Sequence, residues 1–195
     1  FCRACAPVWA NTANPMDRDT IIALATPAGS GAIAVFRLSG PEAIPLAAEK
    51  IRAASGKALE DCPGHTVHLG TIRKGDRILD EVLATVFRSP RSYTGEDVVE
   101  ISCHGSVYIQ QEILNLFLDS GCRMANPGEF TLRAFINGKM DLSQAEAVAD
   151  LIASENKASH QIALQQMRGG YSSEIAKLRE ELLHFASMIT LELDF

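Results

Sequence analysis

The chain has 195 residues, 47% of them hydrophobic and 22% charged, and a formal net charge of −6. These values fit one or two globular domains. They exclude a uniformly basic nucleic-acid binder, leaving at most a local basic patch, and no apolar run approaches the ~18 residues of a membrane span.

Residues 1–15, FCRACAPVWANTANP, lack a starting Met and any clear period. They read as a leader, an upstream translation or a remnant of cloning, and stand outside the fold reasoning. The five cysteines, Cys2, Cys5, Cys62, Cys103 and Cys122, are odd in number and irregular in spacing. That usage fits a reduced, cytoplasmic chain. Cys2 and Cys5 form a CxxC pair without a second pair at zinc-site spacing.

From Met16 the pattern is regular. A strand is expected over 20–26, then a Pro-Ala-Gly-Ser-Gly loop over 27–31 and a second strand over 32–38. Alternation puts Ala34, Phe36 and Leu38 on one face and Ile33, Val35 and Arg37 on the other. Ser39, Gly40, Pro41 and Glu42 carry helix-start chemistry. Pro45 conflicts with a start at Pro41, because it would remove a helical N–H one turn in; the helix is expected to begin later. Its stripe is Ile44, Ala47, Ala48 and Ile51. A hairpin follows, 65–73 and 77–88 around Lys74, Gly75 and Asp76. Residues 90–96 form a loop and 97–103 a strand, with Val99, Ile101 and Cys103 opposite Val98, Glu100 and Ser102. Ser106 can cap a helix to about 120 that buries Ile109, Ile113, Leu116 and Phe117, Gly121 ends it, and 122–125 is a short strand.

At Asn126 the pattern turns helical. Asn126, Pro127 and Glu129 sit at cap, first and third positions of a helix, which a turn at Asn137 and Gly138 closes. Ser143 and Glu146 have capping-box spacing, with Leu142, Ala145, Val148, Ala149 and Ile152 as the expected buried stripe. Tyr171, Ile175, Leu178, Leu182, Phe185 and Ile189 then recur at four- and three-residue steps, the spacing of a helix-packing seam. Gly169 and Gly170 should break or bend the helix before it. The apolar pattern still runs at Asp194 and Phe195, as expected of a piece of a longer chain. The fold class expected is α+β: a mixed, mainly antiparallel sheet with packed helices, followed by an all-α segment. The expected domains are 16–125 and 126–195.

Three charged residues stand in awkward places. Arg37 shares a strand face with Ile33 and Val35, Glu100 lies between Val99 and Ile101, and Lys139 occupies a turn between apolar helices. Buried charges need partners or ligands. One reading is a cross-sheet Arg37–Glu100 bridge with Lys139 in solvent. The other is a site for an anionic heteroaromatic ligand, in which a carboxylate accepts paired N–H donors and the cations hold carbonyl or carboxylate oxygens. Glycines 29, 31 and 105 could let backbone approach such a ligand, though turn geometry explains them equally. There is no GxxxxGK[ST] phosphate loop: around Gly138 and Lys139, position 133 is Arg and position 140 is Met. HExxH, GxSxG and EF-hand patterns are also missing. Asp80, Glu81, Glu96 and Asp97 show no sign of an acid/base couple. Cys103 reads as a strand residue rather than a nucleophile, and His160 and His184 as surface or packing residues.

The blocks DTIIALATP (19–27), AVFRLSG (34–40), YTGEDVVE (93–100), CHG (103–105), PGEFTLRAF (127–135) and NGKMDLSQAEAVADL (137–151) occur in this order. Together they resemble the N-terminal region of the MnmE (TrmE) family of tRNA modification GTPases, over roughly 19–195. The resemblance implies an aminomethyltransferase-like domain that binds a formyl- or methylene-type tetrahydrofolate and forms a homodimer. It implies a helical domain after it, into which a GTPase domain is inserted. GTP, magnesium and potassium would belong to that domain, so this chain is expected not to turn over GTP alone. A flavoprotein partner and tRNA complete the family's complex, which installs an aminomethyl-type group on the wobble uridine. The family's folate-contacting positions map onto Arg37, Glu100 and Lys139. Rival readings are a stand-alone aminomethyltransferase-like enzyme and a dimerisation scaffold without ligand.

Overall fold

The computed structural model describes residues 19–193. The expectations for 1–15, for Cys2 and Cys5, and for Asp194 and Phe195 lie outside the described residues. The chain divides into two compact units, which meet in sequence between Phe130 and Thr131. The family expectation of a mainly antiparallel sheet with packed helices, followed by helices, is met.

The first unit is built on a seven-stranded sheet. Its strands are β1 (Ile21–Leu24), β2 (Ile33–Ser39), β3 (Ile51–Ala53), β4 (Thr66–Lys74), β5 (Arg77–Phe87), β6 (Val98–His104) and β7 (Arg123–Met124), in the spatial order β3-β4-β5-β6-β2-β1-β7. All pairs are antiparallel except β1–β7. Helices α1 (Ala43–Lys50) and α2 (Val107–Leu118) cover one face. Period-two alternation decides which face: Ala34, Phe36 and Leu38 of β2 join Val99, Ile101 and Cys103 of β6 in the core, with Ile44, Ile113 and Phe117 from the helices. The β4–β5 turn is Gly75-Asp76, since Lys74 pairs with Arg77, and Gly75 takes φ 62 there.

Several starts differ from the sequence reading. Helix α1 begins at Ala43, so Pro45 falls in the first turn, where no intrahelical N–H is required. Ile51, expected at its end, instead opens the edge strand β3, too short to show a period. Ser106 occupies the α2 N-cap without a side-chain cap bond. Helix α3 (Glu129–Ile136) begins two residues later than its signals suggest, because Gly128 at φ 76 makes Pro127-Gly128 a turn; the Glu129 carboxylate still accepts the Asn126 N–H at 2.7 Å.

The second unit holds α4 (Leu142–Ala153), α5 (Lys157–Met167) and α6 (Gly170–Leu193). The capping box of α4 is Asp141 with Gln144, not Ser143 with Glu146. Asp141 wins because its carboxylate accepts both the Gln144 N–H at 2.8 Å and the Ser172 hydroxyl at 2.5 Å. The expected α4 stripe is not buried: Leu142 and Ile152 are 59% and 82% exposed, and the helix instead buries Ala147. A break at 154–156, capped by Asn156, separates α4 from α5. The break before the seam falls where expected, with Gly169 at φ 79. Along α6 the seam residues Ile175, Leu178, Leu182, Phe185 and Ile189 are all exposed. No described helix is long and apolar enough to cross a membrane.

Candidate functional site

Register fixes the centre of the candidate site. Arg37 of β2 lies directly opposite Glu100 of β6. Its Nε donates to Glu100 Oε1 at 2.8 Å, and an Nη approaches the same oxygen at 2.6 Å. The two side chains keep 27% and 29% of their surface exposed. The cross-sheet bridge anticipated from sequence therefore forms, on the face opposite α1 and α2. Both contacts use one carboxylate oxygen; among the described residues no hydrogen bond engages Oε2.

Two aromatic rings flank the guanidinium: Tyr93 at 5.1 Å and Phe130 at 5.6 Å from its carbon. Both distances lie within cation–π range. Sequence periodicity cannot find them, because Tyr93 lies in a loop and Phe130 on a helix; the only signal is their place in the YTGEDVVE and PGEFTLRAF blocks. Phe130 is set by what holds its neighbour. Glu129, 2% exposed, accepts from Arg123, which also donates to Asp19 at 2.6 Å. These hydrogen bonds hold the Arg123 guanidinium pKa well above its usual value.

Along β6 the face passes from closed to open. Val98 is 1% exposed, beside a buried Ser39 whose hydroxyl contacts Thr94 at 2.7 Å and Glu96 at 2.6 Å. Beyond the Arg37–Glu100 pair the face carries Ile33, Val67, Leu69 and Leu83, each at least 45% exposed. The arrangement is an ion pair whose guanidinium lies near two rings, with a spare carboxylate oxygen and apolar surface on one side. It can hold a flat heterocycle through stacking and paired N–H donors.

Lys139 belongs to the second unit and is exposed. It follows a Schellman-type end of α3: Lys139 N–H donates to Ala134 O at 2.8 Å and Gly138 N–H to Phe135 O at 3.0 Å, with Gly138 at φ 67.

The glycine segments have a structural explanation. Gly31 N–H donates to Gly105 O at 2.9 Å, and the Gln110 amide donates to Gly29 O and Gly105 O. A Cβ on Gly105 would collide with the Gly31 backbone, so these glycines serve each other's approach. Asp80 accepts the backbone N–H and Nδ1 of His104, both at 2.7 Å, and Asp97 accepts the Ser89 N–H. Each carboxylate thus anchors local backbone. Burial pushes the Cys103 and Cys122 thiols up to about 11, which suits core residues rather than nucleophiles. His160 and His184 are exposed. Among the described residues no group of three or more His, Cys, Asp or Glu side chains could hold a metal ion.

The sequence matches known proteins along most of its length. Residues 20–139 match the family model described as GTP-binding protein TrmE N-terminus, and 142–195 match the MnmE helical domain. The chain is 67% identical over 177 residues to the tRNA modification GTPase MnmE of Christiangramia forsetii, covering 91% of this chain and 37% of that protein. It is 66% identical to that of Flavobacterium psychrophilum, covering 91% and 38%. It is 58% identical over 181 residues to that of Bacteroides fragilis, covering 92% and 39%. The chain therefore spans less than two-fifths of the length of these relatives. Within that span, the sheet unit and the helices after it belong to the MnmE family of tRNA modification GTPases.

Proposed function

We propose that this chain is the tetrahydrofolate-binding and dimerisation region of a tRNA modification GTPase, presenting a one-carbon donor to chemistry on the wobble uridine carried out with a flavoprotein partner in the cytoplasm. The observation that carries the reading is the partly exposed Arg37–Glu100 pair, with Tyr93 and Phe130 beside the Arg37 guanidinium. Glu100 Oε2 accepts the N–H donors of an amino-pyrimidinone edge, and Arg37 holds carbonyl or carboxylate oxygens of the ligand. The donor set fits a pterin: Glu100 is an acceptor, Arg37 a cation, and two aromatic rings lie beside that cation. Lys139 keeps the ligand-holding role implied by the NGKMDL block. When bound, a 5-formyl- or 5,10-methylene-type folate supplies the carbon; this chain's residues bind and orient it. GTP, magnesium and potassium belong to a domain outside these 195 residues.

Calorimetric titration with 5-formyltetrahydrofolate tests the reading. The unsubstituted chain should bind, and Glu100→Ala and Arg37→Ala should each weaken binding about tenfold or more, the scale of one lost charge-assisted hydrogen bond. Equal affinity in all three proteins would remove the site. A second reading, a homodimerisation scaffold without ligand, draws on the exposed Ile33, Val67, Leu69 and Leu83 beside the pair. A chain that is dimeric by sedimentation yet silent in the titration would favour it.

A further inference from the structure

We propose that a basic cavity at the β3 edge of the sheet is a phosphate-contacting site for the backbone of tRNA. The inference rests on the tRNA part of the reading above, not on its folate part. The cavity, of about 430 Å³, lies where the end of α1 turns directly into β3 and meets the β4–β5 hairpin tip. Lys50, Arg52, Lys57 and Arg73 line it, with Glu49 as its single carboxylate and Leu116 from α2. Four basic residues against one acid reverse the sign of a chain whose net charge is −6.

Local structure gathers these residues from separate stretches. Lys50 closes α1, and Arg52 sits on the edge strand opposite Thr71 of β4. The turn at Gly56, with φ 76, returns the chain and brings Lys57 to the cavity wall. Arg73 follows the β-bulge between Ile72 and Arg73, where β4 changes register against β5. Arg52 and Lys57 are exposed, while Lys50 and Arg73 are half-buried. Glu49 accepts from Lys50 at 2.8 Å, so that pair is neutral and Arg52, Lys57 and Arg73 carry the excess positive charge. A charged edge also deters strand addition, but that role needs neither a cavity nor basic residues recruited from three stretches of chain. Repeated cations along an edge match a ligand with repeated phosphates, and a domain of negative net charge can hold RNA only through such a local patch.

The test measures binding of fluorescein-labelled tRNA by anisotropy across a salt series. The proteins are the unsubstituted chain, Lys57→Gln, and the triple variant Arg52→Gln, Lys57→Gln, Arg73→Gln. Each lost phosphate contact should lower the slope of log K against log salt by about 0.7–0.9. Lys57→Gln should therefore lose about one contact's worth, and the triple variant about three, with affinity at low salt falling at least about tenfold. Lys57 is an exposed loop residue, so the single variant keeps the test decisive if the triple variant fails to fold. An unchanged slope in a folded variant overturns the cavity and leaves the tRNA reading standing. No tRNA binding by the unsubstituted chain overturns both. Inorganic pyrophosphate, titrated in parallel, separates the sources of phosphate: binding that depends on Lys57 while the tRNA slope stays fixed would make the ligand a free phosphate and overturn the RNA assignment. A shift in oligomeric state alone, with the slope unmoved, would leave edge protection as the role and also overturn it.

Discussion

The two units treat their apolar residues in opposite ways. In the sheet unit the period-two residues of β2 and β6 are buried under α1 and α2, and Phe36, Ile101, Ile113 and Phe117 have at most 1% of their surface exposed. In the helical unit the three- and four-residue pattern is equally clear, yet Ile175, Leu178, Leu182 and Phe185 keep more than half of theirs. Periodicity says which residues share a face. Whether the face is covered depends on what stands opposite it, and a sheet with two helices supplies that cover within about a hundred residues.

The largest expected effect follows from that contrast. Phe117→Ala should cost about 3–5 kcal/mol, the range for an aromatic lost from a packed core. Leu182→Ala, at a site 60% exposed, should stay within about 0.5 kcal/mol. Hydrogen exchange of the β2 and β6 amides reads the first change, and that of the α6 amides reads the second. Comparable losses at both positions would mean that α6 is covered in solution and would erase the difference between the units.

The same contrast explains what can be read from sequence. Strand faces are legible because side chains alternate strictly and one face is buried, so alternation alone places Arg37 and Glu100 on the faces turned away from the core stripes. Their direct pairing is not fixed by alternation, since register depends on where β2 meets β6. Tyr93 and Phe130 are not legible as partners: they reach Arg37 from a loop and a helix far away in sequence. Lys139 falls in its expected turn because Asn137-Gly138 is a strong helix-stop signal. The α4 cap misleads because Ser143 and Glu146 have the right spacing, while Asp141 gains a second partner, Ser172, thirty-one residues on. The β3 edge strand, three residues long, carries too little pattern to register.

A smaller effect probes the junction that displays Lys139. Gly138 holds φ 67, and an added Cβ would meet nothing within 4 Å. Gly138→Ala should therefore cost only the left-handed backbone strain, about 1 kcal/mol. Amide exchange at Gly138 and Lys139 should speed up, while the β6 amides stay unchanged. A loss several times larger would show that the turn is crowded by something other than its own backbone.

The smallest effect is confined to the helical unit and depends on pH. The Asp141 pKa is lowered, first by the Ser172 hydroxyl and then by the Gln144 N–H, which favour its ionised form. A depressed carboxylate contributes stability that is present above its unfolded value, about 3.9, and lost as pH falls through the lower folded value. Asp141→Asn keeps an acceptor of similar shape but cannot ionise. At pH 7 the variant should show less protection at the Gln144 and Ser172 amides than the unsubstituted chain, and the gap should close as the solution is taken below about pH 4. If instead the gap is the same at pH 3 and pH 7, the charge of Asp141 contributes nothing, and the helical unit is tied at this corner by hydrogen-bond geometry alone.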